Sequence, residues 1–275
     1  MRNLSRLPIA LFDSGMGGLT VLKAIAKGLP NEDLLYLGDT ARLPYGTKGR
    51  ETIIRYTLMA ARHLVKRGVK LLVVACNTAT ANALPTLRAE LAPLPVVGVV
   101  EPGARAAVES SVNGQIVVIA TEATIKSGVY AKAIAELRPE AKTTAKACTL
   151  FVPMAEEGLM EGPLVEGVAH YYLDEIFTAK DRIVPDTMLL GCTHFPLLQK
   201  ALARVVGDKV RVVDPAEMVA KSVTEVLTWH ELANREQRCG RPHFMTTDNQ
   251  ARFARTGSLF LGRQLAEEEI ELIDL

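Results

Sequence analysis

Apolar positions along the chain follow two rhythms. Short runs rich in Leu, Val and Ile occupy Ile9–Phe12, Leu34–Leu37, Leu71–Ala75, Val96–Val100, Ile116–Ala120, Met188–Leu190 and Val210–Val213. Between them, segments such as Leu19–Lys27 and Glu51–Arg67 space their apolar residues three and four apart. A continuous apolar run is what a strand covered on both faces needs, and the three-four spacing is the inner face of an amphipathic helix. Their alternation predicts an α/β fold built on parallel sheets, with ligands beyond the carboxyl ends of the strands. The acidic tail Glu267–Leu275 reads as a solvated helix end.

The rhythm repeats. Val99-Val100-Glu101-Pro102 matches Val212-Val213-Asp214-Pro215, Cys76 matches Cys192, and Leu22-Lys23-Ala24-Ile25 matches Ala131-Lys132-Ala133-Ile134, each pair about 110 residues apart. Together these predict two α/β domains of like topology related by a pseudo-two-fold axis. The first is residues 1–101 plus 214–275 and the second is 102–213, with the active cleft between them. In both copies the acid before Pro reads as a helix N-cap with Pro at the first helical position. Facing half-domains bring the two strand-end cysteines to opposite sides of one cleft.

Composition narrows the function classes. The 275 residues are 48% hydrophobic and 23% charged, which excludes disorder, and 32 basic against 31 acidic side chains leave a net charge of +1. That balance argues against nucleic acid or an anionic membrane as partner. No apolar stretch approaches the ~20 residues of a membrane span, and the run after Arg2 and Arg6 is too short for a secretory signal. Four scattered cysteines make no disulfide framework, so reduced thiols and a cytoplasmic location are expected. With five mostly isolated histidines and no close Cys or His pair, no metal site is expected.

Chemistry-bearing residues cluster where strands end. Asp13-Ser14-Gly15-Met16-Gly17-Gly18 lies between a strand and a helix, so its amides can cradle an anion. As a dinucleotide fingerprint it fails twice, with Thr20 in place of the third glycine and Asp13 where the strand should still be apolar. Ala75-Cys76-Asn77-Thr78-Ala79 puts a thiol at a helix start, where the dipole favours thiolate. Gly191-Cys192-Thr193-His194-Phe195-Pro196 repeats the placement with His194 within reach of the sulfur. A lone cysteine is most simply a small buried hydrophobe. Two at matched positions, each followed by polar side chains, favour chemistry, while Cys148 and Cys239 have no counterpart. Thr121-Glu122-Ala123-Thr124 follows a strand where the first half has Asp13-Ser14, so its hydroxyls can meet an anionic substrate, and Glu156 and Glu157 form an acidic pair after an apolar segment.

Five blocks in order carry a family resemblance: Phe12–Gly18, Gly38-Asp39-Thr40-Ala41-Arg42-Leu43-Pro44-Tyr45-Gly46, Ala75–Ala79, Phe151-Val152-Pro153-Met154-Ala155-Glu156 and Gly191–Pro196. Over nearly its whole length the chain resembles the cofactor-independent glutamate racemases of the aspartate/glutamate racemase superfamily. The resemblance implies two α/β domains with the active site between them, interconversion of L- and D-glutamate, no cofactor, and a bacterial cytoplasmic role in making peptidoglycan precursors. It implies Cys76 and Cys192 as paired acid/base catalysts acting on D- and L-glutamate respectively. Asp13 and His194 are implied as their proton-handling supports, and Asp39 and Glu156 as further functional carboxylates. Substrate contacts are implied at Asp13, Ser14, Pro44, Tyr45, Gly46, Asn77, Thr78, Thr121, Thr193 and His194. Ala120, where the family pattern has Gly, and Thr149, where Pro is frequent, depart from it without replacing a catalytic group. A homodimer is compatible with the resemblance. Two other readings fit the same residues: a racemase of aspartate or another acidic amino acid, and a catalytically idle protein that binds an acidic metabolite.

Overall fold

A computed structural model describes residues 4–178, 183–236 and 238–275. The seven apolar runs become strands: β1 (Ile9–Asp13), β2 (Leu34–Gly38), β3 (Leu71–Val74), β4 (Val96–Gly98), β5 (Gln115–Ala120), and, after a further strand β6 (Lys142–Ala147), β7 (Thr187–Gly191) and β8 (Arg211–Val213). Two more, β9 (Pro242–Thr246) and β10 (Ile270–Leu272), complete the set among the described residues. All pairings are parallel. The strands form a six-stranded sheet in the order β10-β9-β2-β1-β3-β4 and a four-stranded sheet in the order β6-β5-β7-β8.

The predicted duplication is visible in those orders, since β2-β1-β3-β4 and β6-β5-β7-β8 are the same arrangement. Cys76 follows β3 and Cys192 follows the equivalent β7. Helices cover both faces of each sheet, as parallel strands require. Against one face of the larger sheet lie α1 (Leu19–Gly28), α10 (Ala216–Trp229) and α11 (Gln250–Leu261). Against the other lie α2 (Arg50–Lys66) and α3 (Asn77–Leu91). In the smaller sheet, alternate residues of β5 face opposite ways, as the pleat dictates. Ile116 and Val118 pack with α4 (Val100–Ser110) and α6 (Val129–Leu137), the latter preceded by the short α5 (Glu122–Ser127). Val117 and Ile119 pack with α7 (Phe151–Glu156), α8 (Pro163–Phe177) and α9 (Gln199–Val206). Each such fully buried aliphatic side chain contributes on the order of 1.5–3 kcal/mol, so both lobes have cores of their own.

Three expectations change. The tail is not a helix end: after a turn of 3-10 helix at Glu267–Glu269 it forms β10, where Ile270 is buried and pairs with Phe244. Glu101 does not cap its helix, because α4 has already begun at Val100 and Glu101 instead pairs with Arg88. Asp214 lies one residue before the cap position, which Pro215 occupies, and its carboxylate accepts the Ala216 N–H at 3.0 Å from outside the helix.

Candidate active site between the lobes

The strand ends β1, β2 and β3 of one lobe face β5 and β7 of the other. They enclose a cavity of about 30 Å³ lined by Ser14, Pro44, Tyr45, Gly46, Asn77, Thr78, Thr121, Thr193, His194, Glu156 and both Cys76 and Cys192. That volume holds a few water molecules at most, so a ten-heavy-atom amino acid requires the lobes to part. The contacts across the seam are close. A Cβ on Gly17 would stand 2.4 Å from Thr193 Oγ1 and 2.7 Å from His194 Nδ1, and one on Gly46 would stand 2.6 Å from Thr121 Cβ. These glycines are there because no side chain fits.

Cys76 sits at the N-cap of α3, and its sulfur accepts the Ala79 N–H at 3.5 Å while its thiol donates to Ser14 Oγ at 3.5 Å. The helix start therefore does reach the sulfur. Burial outweighs it, however, and with the nearby Asp13 charge pushes the Cys76 thiol up to about 12, opposite to the direction the dipole alone suggests. Asp13 is fully buried at the end of β1. Its Oδ2 accepts the Gly15 N–H at 3.1 Å, while Oδ1 has no partner. Burial raises its carboxyl, with the His194 charge and the amides of Gly18, Gly15 and Ser14 opposing.

Cys192 has a different setting. His194 Nδ1 lies 3.8 Å from its sulfur, and His194 Nε2 lies 3.2 Å from Glu156 Oε1. Burial alone would lower the imidazolium; its contacts with Cys192 and Glu156 and the charges of Cys192 and Asp13 win, raising it to about 10. The two sulfurs thus occupy equivalent strand ends with unlike electrostatics. One is a thiol held neutral by burial, and the other stands 3.8 Å from the Nδ1 of a charged imidazole.

Asp39 does not line the cavity. Fully buried behind it, Asp39 accepts from Tyr45 at 2.6 Å, Arg42 at 2.8 Å and Thr247 at 2.9 Å, and so fixes the loop carrying Pro44, Tyr45 and Gly46. Thr78 and Thr121 join hydroxyls at 2.9 Å across the lobes, with Thr124 completing the cluster. Two residues escaped the sequence reading: Tyr130 on α6 donates to Asn77 Oδ1, and Arg252 on α11 contacts Glu156. Both lie in ordinary amphipathic helices outside every motif.

A family profile described as Asp/Glu/hydantoin racemase matches residues 15–223. The glutamate racemase of Geobacter metallireducens is 49% identical over 259 residues, covering 94% of each chain. Crystal structures of glutamate racemase from Francisella tularensis in complex with D-glutamate and from Thermus thermophilus in complex with beta-chloro-D-alanine are 34% and 40% identical. Each covers 98% of both chains, with TM-scores of 0.89 and 0.86.

Proposed function

The chain belongs to the Asp/Glu/hydantoin racemase family, and from that premise we propose that it interconverts L- and D-glutamate through two thiols acting on opposite faces of Cα. The observation that carries this reading is the placement of Cys76 and Cys192 at equivalent strand ends of the two lobes, lining one cavity. Inverting a stereocentre by proton transfer removes hydrogen from one face and returns it to the other, and a single fixed base serves only one face.

In the L-to-D direction the Cys192 thiolate takes the α-proton. The Cα–H bond breaks, an S–H bond forms, and its electron pair stays on Cα. The Cys76 thiol then gives its proton to the opposite face and is left as thiolate. The reverse direction exchanges the roles. The resting asymmetry suits this start, with Cys76 protonated by virtue of burial and Cys192 beside the His194 imidazolium. The free oxygen of Asp13 is available to the substrate ammonium or the Cys76 thiol, and Asp13 and His194 handle the protons of the nearer sulfur. Glu156 orients His194, and Asp39 acts through Tyr45. Amides of the Asp13–Gly18 loop and the side chains of Ser14, Asn77, Thr78, Thr121 and Thr193 hold the two carboxylates, and closure excludes water so that these dipoles act at full strength.

Two lobes, 1–101 with 214–275 and 102–213, hinge to admit substrate in this account. The enzyme works in the cytoplasm, where thiols stay reduced, and supplies D-glutamate for peptidoglycan. Circular dichroism of L-glutamate, D-glutamate and L-aspartate incubated with the protein tests the assignment. Racemisation of glutamate, little of aspartate, and loss of activity in both Cys76→Ser and Cys192→Ser are expected. Wild-type rates in both variants would defeat the two-thiol reading.

A further inference from the structure

The groups that prepare Cys192 are not supplied by its own lobe alone. The run Cys192, His194, Glu156 belongs to the smaller-sheet lobe, yet it ends on Arg252 of α11, whose Nη2 lies 3.2 Å from Glu156 Oε2. The two carboxylate oxygens of Glu156 are thus divided, Oε1 to His194 and Oε2 to Arg252. Around this link α11 docks on the end of α7. Ala155 is buried in the same cluster as Phe253 and Phe260, and a Cβ on Gly158 would lie 3.6 Å from Leu259 Cδ1. Phe260 presents its ring to the His194 imidazole, with centroids 5.2 Å apart and planes at 78°. Glu156 is the last residue of its helix, and its side chain is buried at the seam between His194 and Arg252. The guanidinium across the seam takes the second oxygen and so fixes the plane of the carboxylate against His194.

The geometry points to Arg252 as a positioning residue that holds Glu156, and through it His194, so that Cys192 is set for proton transfer only when the two lobes are together. Opening separates α11 from α7 and releases Glu156, so the His194 contact to Cys192 is set at the moment substrate is enclosed. Arg252 itself is half-exposed, with 45% of its side chain accessible, and does not line the cavity, which it reaches through its ion pair with Glu156. This inference rests on the two-thiol racemase reading.

The test uses the full-length protein and Arg252→Met, Arg252→Lys and Glu156→Gln variants. An ion pair this accessible is weakly coupled, so kcat/KM in Arg252→Met should fall about fivefold, equally in both directions because the equilibrium constant between enantiomers is unity. The diagnostic readout is the deuterium isotope effect on kcat/KM. Slower transfer at Cys192 should raise the effect with 2-deuterated L-glutamate and lower it with 2-deuterated D-glutamate. A general loosening of the fold would leave the ratio of the two unchanged. Arg252→Lys should recover most of the rate and the wild-type ratio. In a Glu156→Gln background, Arg252→Met should cost little more. An unchanged ratio in Arg252→Met, or the full loss in Arg252→Lys, would overturn the role of Arg252 while leaving the racemase assignment standing. Absence of glutamate racemisation in the wild type would instead remove the assignment itself.

Discussion

Glycines face the catalytic strand ends across the seam, and Gly17→Ala is the sharpest way to ask whether that closure matters. The new methyl would meet Thr193 Oγ1 at 2.4 Å, His194 Nδ1 at 2.7 Å and Thr193 Cβ at 2.9 Å. Thr193 and His194 are both buried, and neither atom is the free end of a long flexible chain. Gly17 has no left-handed backbone, so the cost is steric rather than conformational. Overpacking of this kind costs roughly 1–3 kcal/mol, and a slight opening of the lobes relieves it. The penalty therefore falls on the closed form rather than on folding. Converted to population, it lowers the closed fraction, and with it kcat/KM, by about 5- to 150-fold. Melting temperature should move little. The comparison is Gly167→Ala, an exposed position inside α8 with nothing within 4 Å of the added carbon. There the gain in helix propensity is about 1 kcal/mol, which should raise the melting temperature by about 2 °C with unchanged turnover. Polarimetric or circular-dichroism assay of glutamate, with thermal melts of each variant, reads both. If Gly17→Ala kept kcat/KM within about twofold of wild type, the closed arrangement would not be the one in which proton transfer occurs.

Other consequences follow from the buried polar groups. His194 is raised to about 10 in the folded protein against 6.5 unfolded, so its stabilising contribution is complete below pH 6.5 and is lost as pH rises toward 10. Melting temperature should decline between pH 6.5 and 9, and His194→Asn should flatten that window; an equal slope in the variant would contradict the charged imidazole. Tyr130→Phe leaves Asn77 Oδ1 without its buried donor and should cost about 1–3 kcal/mol in a denaturant titration while raising KM, because Asn77 lines the cavity. Unaltered stability and KM would show the tie to be idle. Lys70 forms a fully buried pair with Glu32 and donates to the Ser5 carbonyl at 2.6 Å, far from the cavity. Lys70→Met strands the Glu32 carboxylate and should destabilise by about 3–5 kcal/mol, with turnover per folded molecule preserved at room temperature.

How far the sequence carried depended on what each segment had to bury. The central strands were legible because both of their faces are covered: Leu71–Val74 and Ile116–Ala120 carry no polar side chain to blur the signal. β6 reads Lys-Thr-Thr-Ala-Lys-Ala and lies at a sheet edge half in solvent, so it has no apolar run to detect. β10 hides in an acidic tail because it is an edge strand too, and it buries Ile270 alone of its three side chains. Within the site, the strand-end cysteines and the glycine loop were readable from local pattern, since strand, turn and helix start are local events. The electrostatics were not. The helix start at Cys76 is real and its amide favours thiolate, but burial sets the net direction, a quantity no local window contains. Tyr130 and Arg252 escaped for the same reason, as each acts across the seam on a residue distant in sequence.

The central claim is that two thiols serve the two faces of one carbon, and hydrogen tracing tests it most directly. L-Glutamate is incubated with the enzyme in deuterium oxide, where the resting Cys76 thiol carries solvent deuterium, and both enantiomers are separated at early times and weighed by mass spectrometry. The account predicts D-glutamate carrying deuterium at Cα from the first turnovers, while the unreacted L-glutamate pool keeps its protium. D-Glutamate that retains the substrate's own hydrogen, or L-glutamate that gains deuterium as fast as product forms, would mean that a single base serves both faces and would contradict it.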